Sequence, residues 1–441
     1  MTYAPRMALS RKDDKHSVFM KVIADLHTHS RFSRACSGQI TILSMATAAK
    51  EKGLGLICTG DIFHPDWLRE AKDNLESEGD GLFKSKNSSN ETRFVLGAEV
   101  STIFTSKHKY GARKIHHCIL LPSFEAVEAL IESLNKYGNF SSDGRPTLMM
   151  SAAQLVEELF KAESNAFIFP AHAWTPYFGV LGSISGFDSI KDAYENQEKH
   201  IYALETGLSS DPLLNWRVSA LDKYTLLSSS DMHSLGNMGR ESNIFDLEEL
   251  SYNSLINAIK GRDKNKFNKT VEFYPEEGKY HYDGHRECQY SVNPETSNIR
   301  TCKVCGKPLV IGVLHRVNDL ADRPSGFVPQ NAIPFIHMVP LAEVIAYSLR
   351  KSKYSMAVKS LYSSILSKFG TEFNTLTDAS IDDIKGINEE VAQAIDNVRN
   401  NRIKITPGYA GVYGKLDLLG REKTNRNTKA INQKSLSDFR T

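Results

Sequence analysis

The feature that most narrows the fold is a series of short apolar runs, each closed by an aspartate, glutamate or histidine. VIADLHTHS begins it, where the run from Val22 gives way to Asp25, His27 and His29. Residues two apart in a strand share a face, with about 7 Å between neighbours. An acid and two imidazoles on one face at a strand end are the donors that converge on a metal ion. The signature returns six times: Asp61 and His64 in TGDIFH, Glu99 after FVLGA, His116 and His117 in IHHCILL, His172 in FPAHAW, Glu205 in YALETG, and Asp231 with His233 in SSSDMHS. A lone buried histidine is ordinarily a satisfied core residue. Burying this many ionisable groups is costly unless they pair or coordinate a cation, so the series predicts a multinuclear metal site. Mixed carboxylates and imidazoles suit zinc, manganese or iron, whereas magnesium alone favours oxygen ligands.

Helix-like stretches such as ITILSMATAAKEKG and FEAVEALIESLNKYG separate these runs. Strands alternating with helices predict β/α units closing into a barrel or an open parallel sheet. Active groups in such folds gather at the carboxyl ends of strands. Residues 76–92 read as a flexible insertion and 261–270 as a basic turn or linker. From about Pro340 the pattern becomes helical, and the last twenty or so residues have few apolar anchors, which predicts disorder.

His285, Cys288, Cys302 and Cys305 are spaced H-x2-C-x13-C-x2-C, and the CKVCGKPL knuckle matches half of a ribbon-type structural zinc site. His281 competes as the fourth ligand. A redox C-x2-C pair is disfavoured because four soft ligands fill a tetrahedral shell. So small a module should need its metal to fold. Six cysteines in 441 residues make no disulfide scaffold, and three in a metal pattern favour a reducing cytoplasm. No apolar run approaches membrane-spanning length, and MTYAPRMALSRKDDKHS has no apolar core of a secretory signal. Residues 341–441 carry 16 Lys and Arg against 11 Asp and Glu, and 401–441 carry 9 against 3. A basic end on a slightly acidic body suits a polyanionic partner.

The blocks DLHTHS, TGDIFH, GAEV with HHCILL, and SSDMHSLG resemble the PHP (polymerase and histidinol phosphatase) domain over residues 21 to about 245. The resemblance implies a distorted (β/α)7 barrel with two or three divalent ions (Zn, Mn or Mg). It puts His27, His29, Glu99 and Asp231 around one metal, with Glu99 bridging to a second held by His117 and His172. A third would take His64 or Asp61 together with His233. His117 is preferred over His116 on the following ILL alignment, since adjacent strand residues face opposite ways. This chain reads RFSRACSG where the family usually supplies one more ligand after the opening pair, so either Asp61 compensates, or the third site is weaker or filled only with substrate. Asp231, His233 and Glu99 carry the catalytic role, and Arg113 and Arg240, near ligand motifs, are candidates to clamp phosphate.

The order of PHP domain, GHREC…CKVCGKPL, HRVNDLADRP and a helical segment ending in GYAGVYGKL resembles the endonuclease Q family over residues 21 to about 420. That family nicks DNA on the 5′ side of hypoxanthine, uracil and xanthine and at abasic sites. The implied organisation is an N-terminal tail (1–20), a PHP catalytic domain (21–275), a zinc-ribbon module with one structural Zn (276–312), a helical DNA-binding domain (313–420) and a basic tail (421–441). Trp174 and Tyr177 are candidates for the lesion pocket or a wedge, and Arg399, Arg402, Lys404 and Lys415 for phosphate contacts. Gln433, Leu436 and Phe439 in QKSLSDF resemble a sliding-clamp docking peptide. Two other readings stay open: a PHP phosphatase or exonuclease acting on small esters or DNA ends, and a non-catalytic DNA-binding scaffold.

Overall fold

The computed structural model describes residues 19–86 and 91–421. The N-terminal tail to residue 18 and the clamp-like peptide with Gln433, Leu436 and Phe439 lie outside the described residues.

Seven strands form the barrel: β1 Met20–Asp25, β2 Leu56–Cys58, β3 Arg93–Thr105, β4 Ala112–Leu121, β5 Phe167–Pro170, β6 Ala203–Glu205 and β7 Thr225–Leu227. Pairing is parallel for β1–β2 and β2–β3, antiparallel for β3–β4 and β4–β5, and parallel for β6–β7. The ring closes where the Asp231 amide donates to the His27 carbonyl at 3.0 Å and Thr28 bridges Met232. This is the distorted (β/α)7 barrel that the resemblance implies.

Alternation along the strands separates two cores. Val22, Ala24, Leu56, Val95, Cys118, Leu120, Phe167 and Ala203 fill the inside. Ile57, Leu96, Ile119 and Leu121 face outward against helices that bury Val127, Leu130, Leu155 and Leu159. The helices start where a hydroxyl can cap the free amides. Ser123 caps Phe124–Leu134, and Ser151 with Gln154 forms a capping box on Ala152–Ala162.

The sheet continues past the barrel. β8 (Ser242–Leu247) lies antiparallel to β1, β9 (Phe267–Glu272) antiparallel to β8, and β10 (Phe335–His337) parallel to β9. The chain thus leaves the sheet after β9, builds the ribbon around the strands Asp283–His285 and Tyr290–Val292, and returns to the same sheet at β10. Five helices between Leu341 and Arg399 follow. A hairpin of Lys404–Thr406 and Lys415–Asp417 ends the described chain. Its GYAGVYG turn packs on the ribbon approach, where a side chain at Gly408 would lie 2.3 Å from the Gly278 carbonyl. Among the described residues no helix is long and apolar enough to cross a membrane.

Candidate metal centre

Glu99 is the hub. It sits mid-strand in β3 on the inward face shared with Val95, and its side chain is fully buried. Two sets of donors meet on its carboxylate: His27, His29 and Asp231 on one side, His116 and His172 on the other. Within each set the donor atoms lie within 4.8 Å of one another.

The hydrogen bonds around each ring decide which nitrogen faces inward. A carboxylate can only accept, so His27 Nδ1 donates to Glu205 at 3.0 Å and His29 Nδ1 donates to Asp61 at 2.9 Å. The Thr175 hydroxyl donates to the Tyr177 carbonyl and therefore accepts from His172 Nδ1 at 2.9 Å. Each ring then presents the lone pair of Nε2 to the carboxylates. His29 Nε2 lies 3.0 Å from Asp231 Oδ1 and 3.3 Å from Glu99 Oε2. His27 Nε2 lies 3.6 Å from Glu99 Oε2, is buried, and has no hydrogen-bond partner. On the other side His116 Nδ1 and His172 Nε2 approach Glu99 Oε1 at 2.6 and 3.1 Å, and each other at 3.2 Å.

Acceptors facing acceptors in a buried site repel unless protons or a cation lie between them. The residues therefore fit divalent ions. Electrostatics agree: burial pushes the Glu99 carboxyl up, but His116, Arg145 and His27 together hold it well below the usual carboxylate range. Burial disfavours charge on His29, yet Asp61, Asp231 and Glu99 raise its pKa well above the ordinary value. Such a ring gives up its proton when a metal arrives.

Several expected residues sit elsewhere. His117 is on the outer face of β4 with Ile119 and Leu121, where it meets the hydroxyls of Tyr194 and Thr102 at 2.8 and 2.9 Å; it is His116 that joins His172. Burial pushes the His117 pKa down to about 3, a neutral ring among helices. The Asp61 carboxylate is taken up by His29 and by the backbone and hydroxyl of Ser30, so it orients a donor rather than joining the cluster. His64 stands at the N-cap position of a helix without a side-chain capping bond, and its ring stacks on Phe32 at 4.2 Å. His233 stays at the rim, its ring 4.8 Å from that of His29 and its Nδ1 donating to the Asp231 carbonyl. Among the described residues, no group of three or more donors within 4.8 Å of one another includes His64, Asp61 or His233.

The arginines divide likewise. Arg113 donates to the carbonyls of Gly186 and Tyr110, and Arg240 to that of Ser230, so both brace loops. Arg399 donates to the carbonyls of Thr375 and Leu376. Arg402 pairs with Asp396, while Lys404 and Lys415 are exposed on the terminal hairpin. Trp174 is fully buried with Nε1 on Asn215, which removes it from any surface role; Tyr177 is exposed beside Tyr280. The residue missing from the sequence reading is Arg145, which contacts Glu99 Oε2 at 3.0 Å from a turn, SDGRP, that looks like any other polar loop.

In the ribbon, the donor atoms of His285, Cys288, Cys302 and Cys305 lie within 4.8 Å of one another. His281, the competing ligand, is buried away from them and is no member of that group. The module's own apolar core is only Val292, Cys302 and Leu309, with Cys288 and Tyr290 beside it.

Residues 340–402 match the family described as MJ0043 C-terminal domain. The uncharacterised protein MJ0043 of Methanocaldococcus jannaschii is 32% identical over 257 residues, which span 56% of this chain but only 31% of that protein. The lesion-specific endonuclease PfuEndoQ of Pyrococcus furiosus is 33% identical, with 91% of this chain and 98% of that one aligned at a TM-score of 0.80. A solved endonuclease Q complex with a 27-mer duplex bearing an abasic lesion at its active site matches equally, at 33% identity and TM-score 0.80 over 90% and 96% of the two chains. With its metal-binding barrel rim, its four-ligand ribbon and this likeness along nearly the whole length, the chain belongs to the endonuclease Q family.

Proposed function

We propose that this protein is a metal-dependent endonuclease that hydrolyses the DNA phosphodiester on the 5′ side of hypoxanthine, uracil or xanthine and of abasic sites. Water adds to phosphorus and the bond to the 3′ oxygen breaks, leaving 3′-hydroxyl and 5′-phosphate ends. The observation that carries the reading is the pair of donor clusters sharing Glu99 at the barrel rim, in a chain aligned with 98% of a lesion-specific endonuclease.

Two ions held there would supply a hydroxide at neutral pH and offset charge on the attacked phosphate. The chain's part is to fix them. His27, His29 and Asp231 would hold one and His116 and His172 the other, with Glu99 common to both donor sets. Glu205, Asp61 and Thr175 lock the three rings whose Nε2 points inward. His233 stands at the rim beside Asp231. A deaminated or missing base costs less to extrude than a sound pair, and exposed Tyr177 is proposed to contact it. Lys404, Lys415 and Arg402 are proposed to track the backbone, which makes binding steeply salt-dependent.

A second partner is proposed for Gln433, Leu436 and Phe439: the sliding clamp, through the QKSLSDF peptide. Removing the last ten residues should abolish clamp binding while nicking of short duplexes persists; unchanged clamp affinity refutes it. All cysteines are free among the described residues, which suits a cytoplasmic enzyme.

The deciding experiment incubates the purified protein with duplexes carrying hypoxanthine, uracil, an abasic site or no lesion, with and without each divalent metal. Metal-dependent nicking 5′ to the lesion, lost in Asp231→Asn, supports the reading. Efficient hydrolysis of small phosphate esters without lesion preference would favour the phosphatase, and binding without cleavage the scaffold.

A further inference from the structure

The sequence singled out Arg113 and Arg240 as phosphate clamps; both terminal nitrogens of Arg113 are taken up by the carbonyls of Gly186 and Tyr110, and Arg240 gives its Nε to the Ser230 carbonyl. Another arginine reaches the centre. Arg145 Nη1 lies 3.0 Å from Glu99 Oε2, and the side chain keeps about a quarter of its surface open, 23%. A guanidinium carries five donors in a planar fork, and a contact to one carboxylate oxygen leaves most of that fork uncommitted.

The loop bearing it is fastened at each step to the elements that carry the metal donors. The Asp143 carboxylate accepts the Arg145 amide at 3.0 Å and pairs with Arg34 at 3.1 Å. The Gly144 amide donates to the Phe32 carbonyl at 3.0 Å. A side chain at Gly144 would fall 2.3 Å from Asp61 Oδ2 and 2.5 Å from Ser33 Oγ, so the loop lies directly on the carboxylate that orients His29. The Pro146 carbonyl accepts the Ser101 amide, and Thr147 and Leu148 pair with Ser101 and Thr102 of β3, two and three residues beyond Glu99. Neutralising Glu99 does not require such a mounting; a lysine from any neighbouring loop would do that. A rigidly held fork beside the two donor sets that share Glu99 has the geometry for two oxygens of one anion.

We infer that Arg145 holds the non-bridging oxygens of the scissile phosphate at this centre, with Glu99 serving as the fixed anchor for one edge of the guanidinium and the phosphodiester taking the other. The inference rests on the phosphodiesterase reading of the site but not on lesion specificity. It also assigns the Asp143–Gly144 turn the task of setting the distance between guanidinium and metals.

The test compares wild type, Arg145→Ala and Arg145→Lys as metal-loaded full-length proteins in three measurements: metal content, affinity for inorganic phosphate by calorimetry, and steady-state nicking of a hypoxanthine duplex. Arg145→Ala should keep the wild-type metal content, bind phosphate about 10- to 100-fold more weakly, and lose nicking rate by a comparable factor. Arg145→Lys, a point charge without the fork, should fall between. Added guanidinium should partly restore Arg145→Ala. Wild-type phosphate affinity in Arg145→Ala overturns the assignment, and so does a fall in metal content matching the loss of rate, which would make the residue a support for Glu99. If wild type binds phosphate through Arg145 but shows no lesion preference, the proposed substrate fails while this assignment stands.

Discussion

His27 and Glu205 are 178 residues apart in sequence, yet the His27 Nδ1 sits 3.0 Å from the Glu205 carboxylate in a fully buried pair. The second Glu205 contact, 2.7 Å from the His172 amide, ties the same carboxylate to the strand end that bears the other cluster. One acid thus sets the ring orientation on one side of Glu99 and the backbone on the other.

Glu205→Gln should therefore weaken metal binding without deleting a donor. Partners of this kind are worth about 10- to 100-fold in metal affinity. Titrating metal against nicking rate should give a right-shifted curve with a near-normal plateau. An unshifted curve would remove Glu205 from the centre.

The two adjacent histidines of β4 make a sharper comparison. His116→Ala should lose one ion and nearly all activity. His117→Ala should keep its metals and activity but lose stability, since it strands the buried hydroxyls of Tyr194 and Thr102; such losses cost about 1–3 kcal/mol. Metal analysis beside thermal melting separates the variants, and the opposite result would restore His117 as the donor.

That pair also shows what the sequence could and could not reveal. Donor residues at strand ends were legible because period-two alternation and apolar runs mark the barrel. Which of two neighbours faces inward was not, because both flank the same ILL run; Cys118 and Leu120 lining the interior decide it. Asp61 carries the right chemistry at a strand end, but Ser30 and His29 claim its oxygens. Trp174 follows a donor histidine, yet the fold turns its ring into the core. Arg145 comes from a loop whose place at the rim is fixed only by long-range pairing with β3.

Cys302→Ser should lower zinc content by about one equivalent and melt the ribbon, because Val292, Cys302 and Leu309 alone form too small a core to hold it. Hydrolysis of a small phosphodiester at the barrel should persist while duplex nicking drops. Undiminished zinc would exclude the four-ligand site.

A pH effect follows from Glu276. Burial, with Asp211 adding to it, pushes its carboxyl up from 4.5 to about 7, although His337 works the other way. A folded-state pKa raised above the unfolded one adds stability below about pH 4.5 that is lost as pH rises towards 7. The loss is of order 3 kcal/mol. Glu276→Gln should flatten the decline in melting temperature between pH 5 and 7.5; an identical slope would show that Glu276 is not its source.

The return of the chain to one sheet at Phe335–His337 governs how the molecule can be divided and made. Until the ribosome has released residue 337, the outer edge of Phe267–Glu272 has no strand beside it, and bare edges recruit strands from other chains. A fragment cut at the apparent ribbon boundary would keep every barrel donor and still be prone to aggregate. The shortest sound unit for expression extends past His337, with the ribbon carried along as an excursion inside a single sheet.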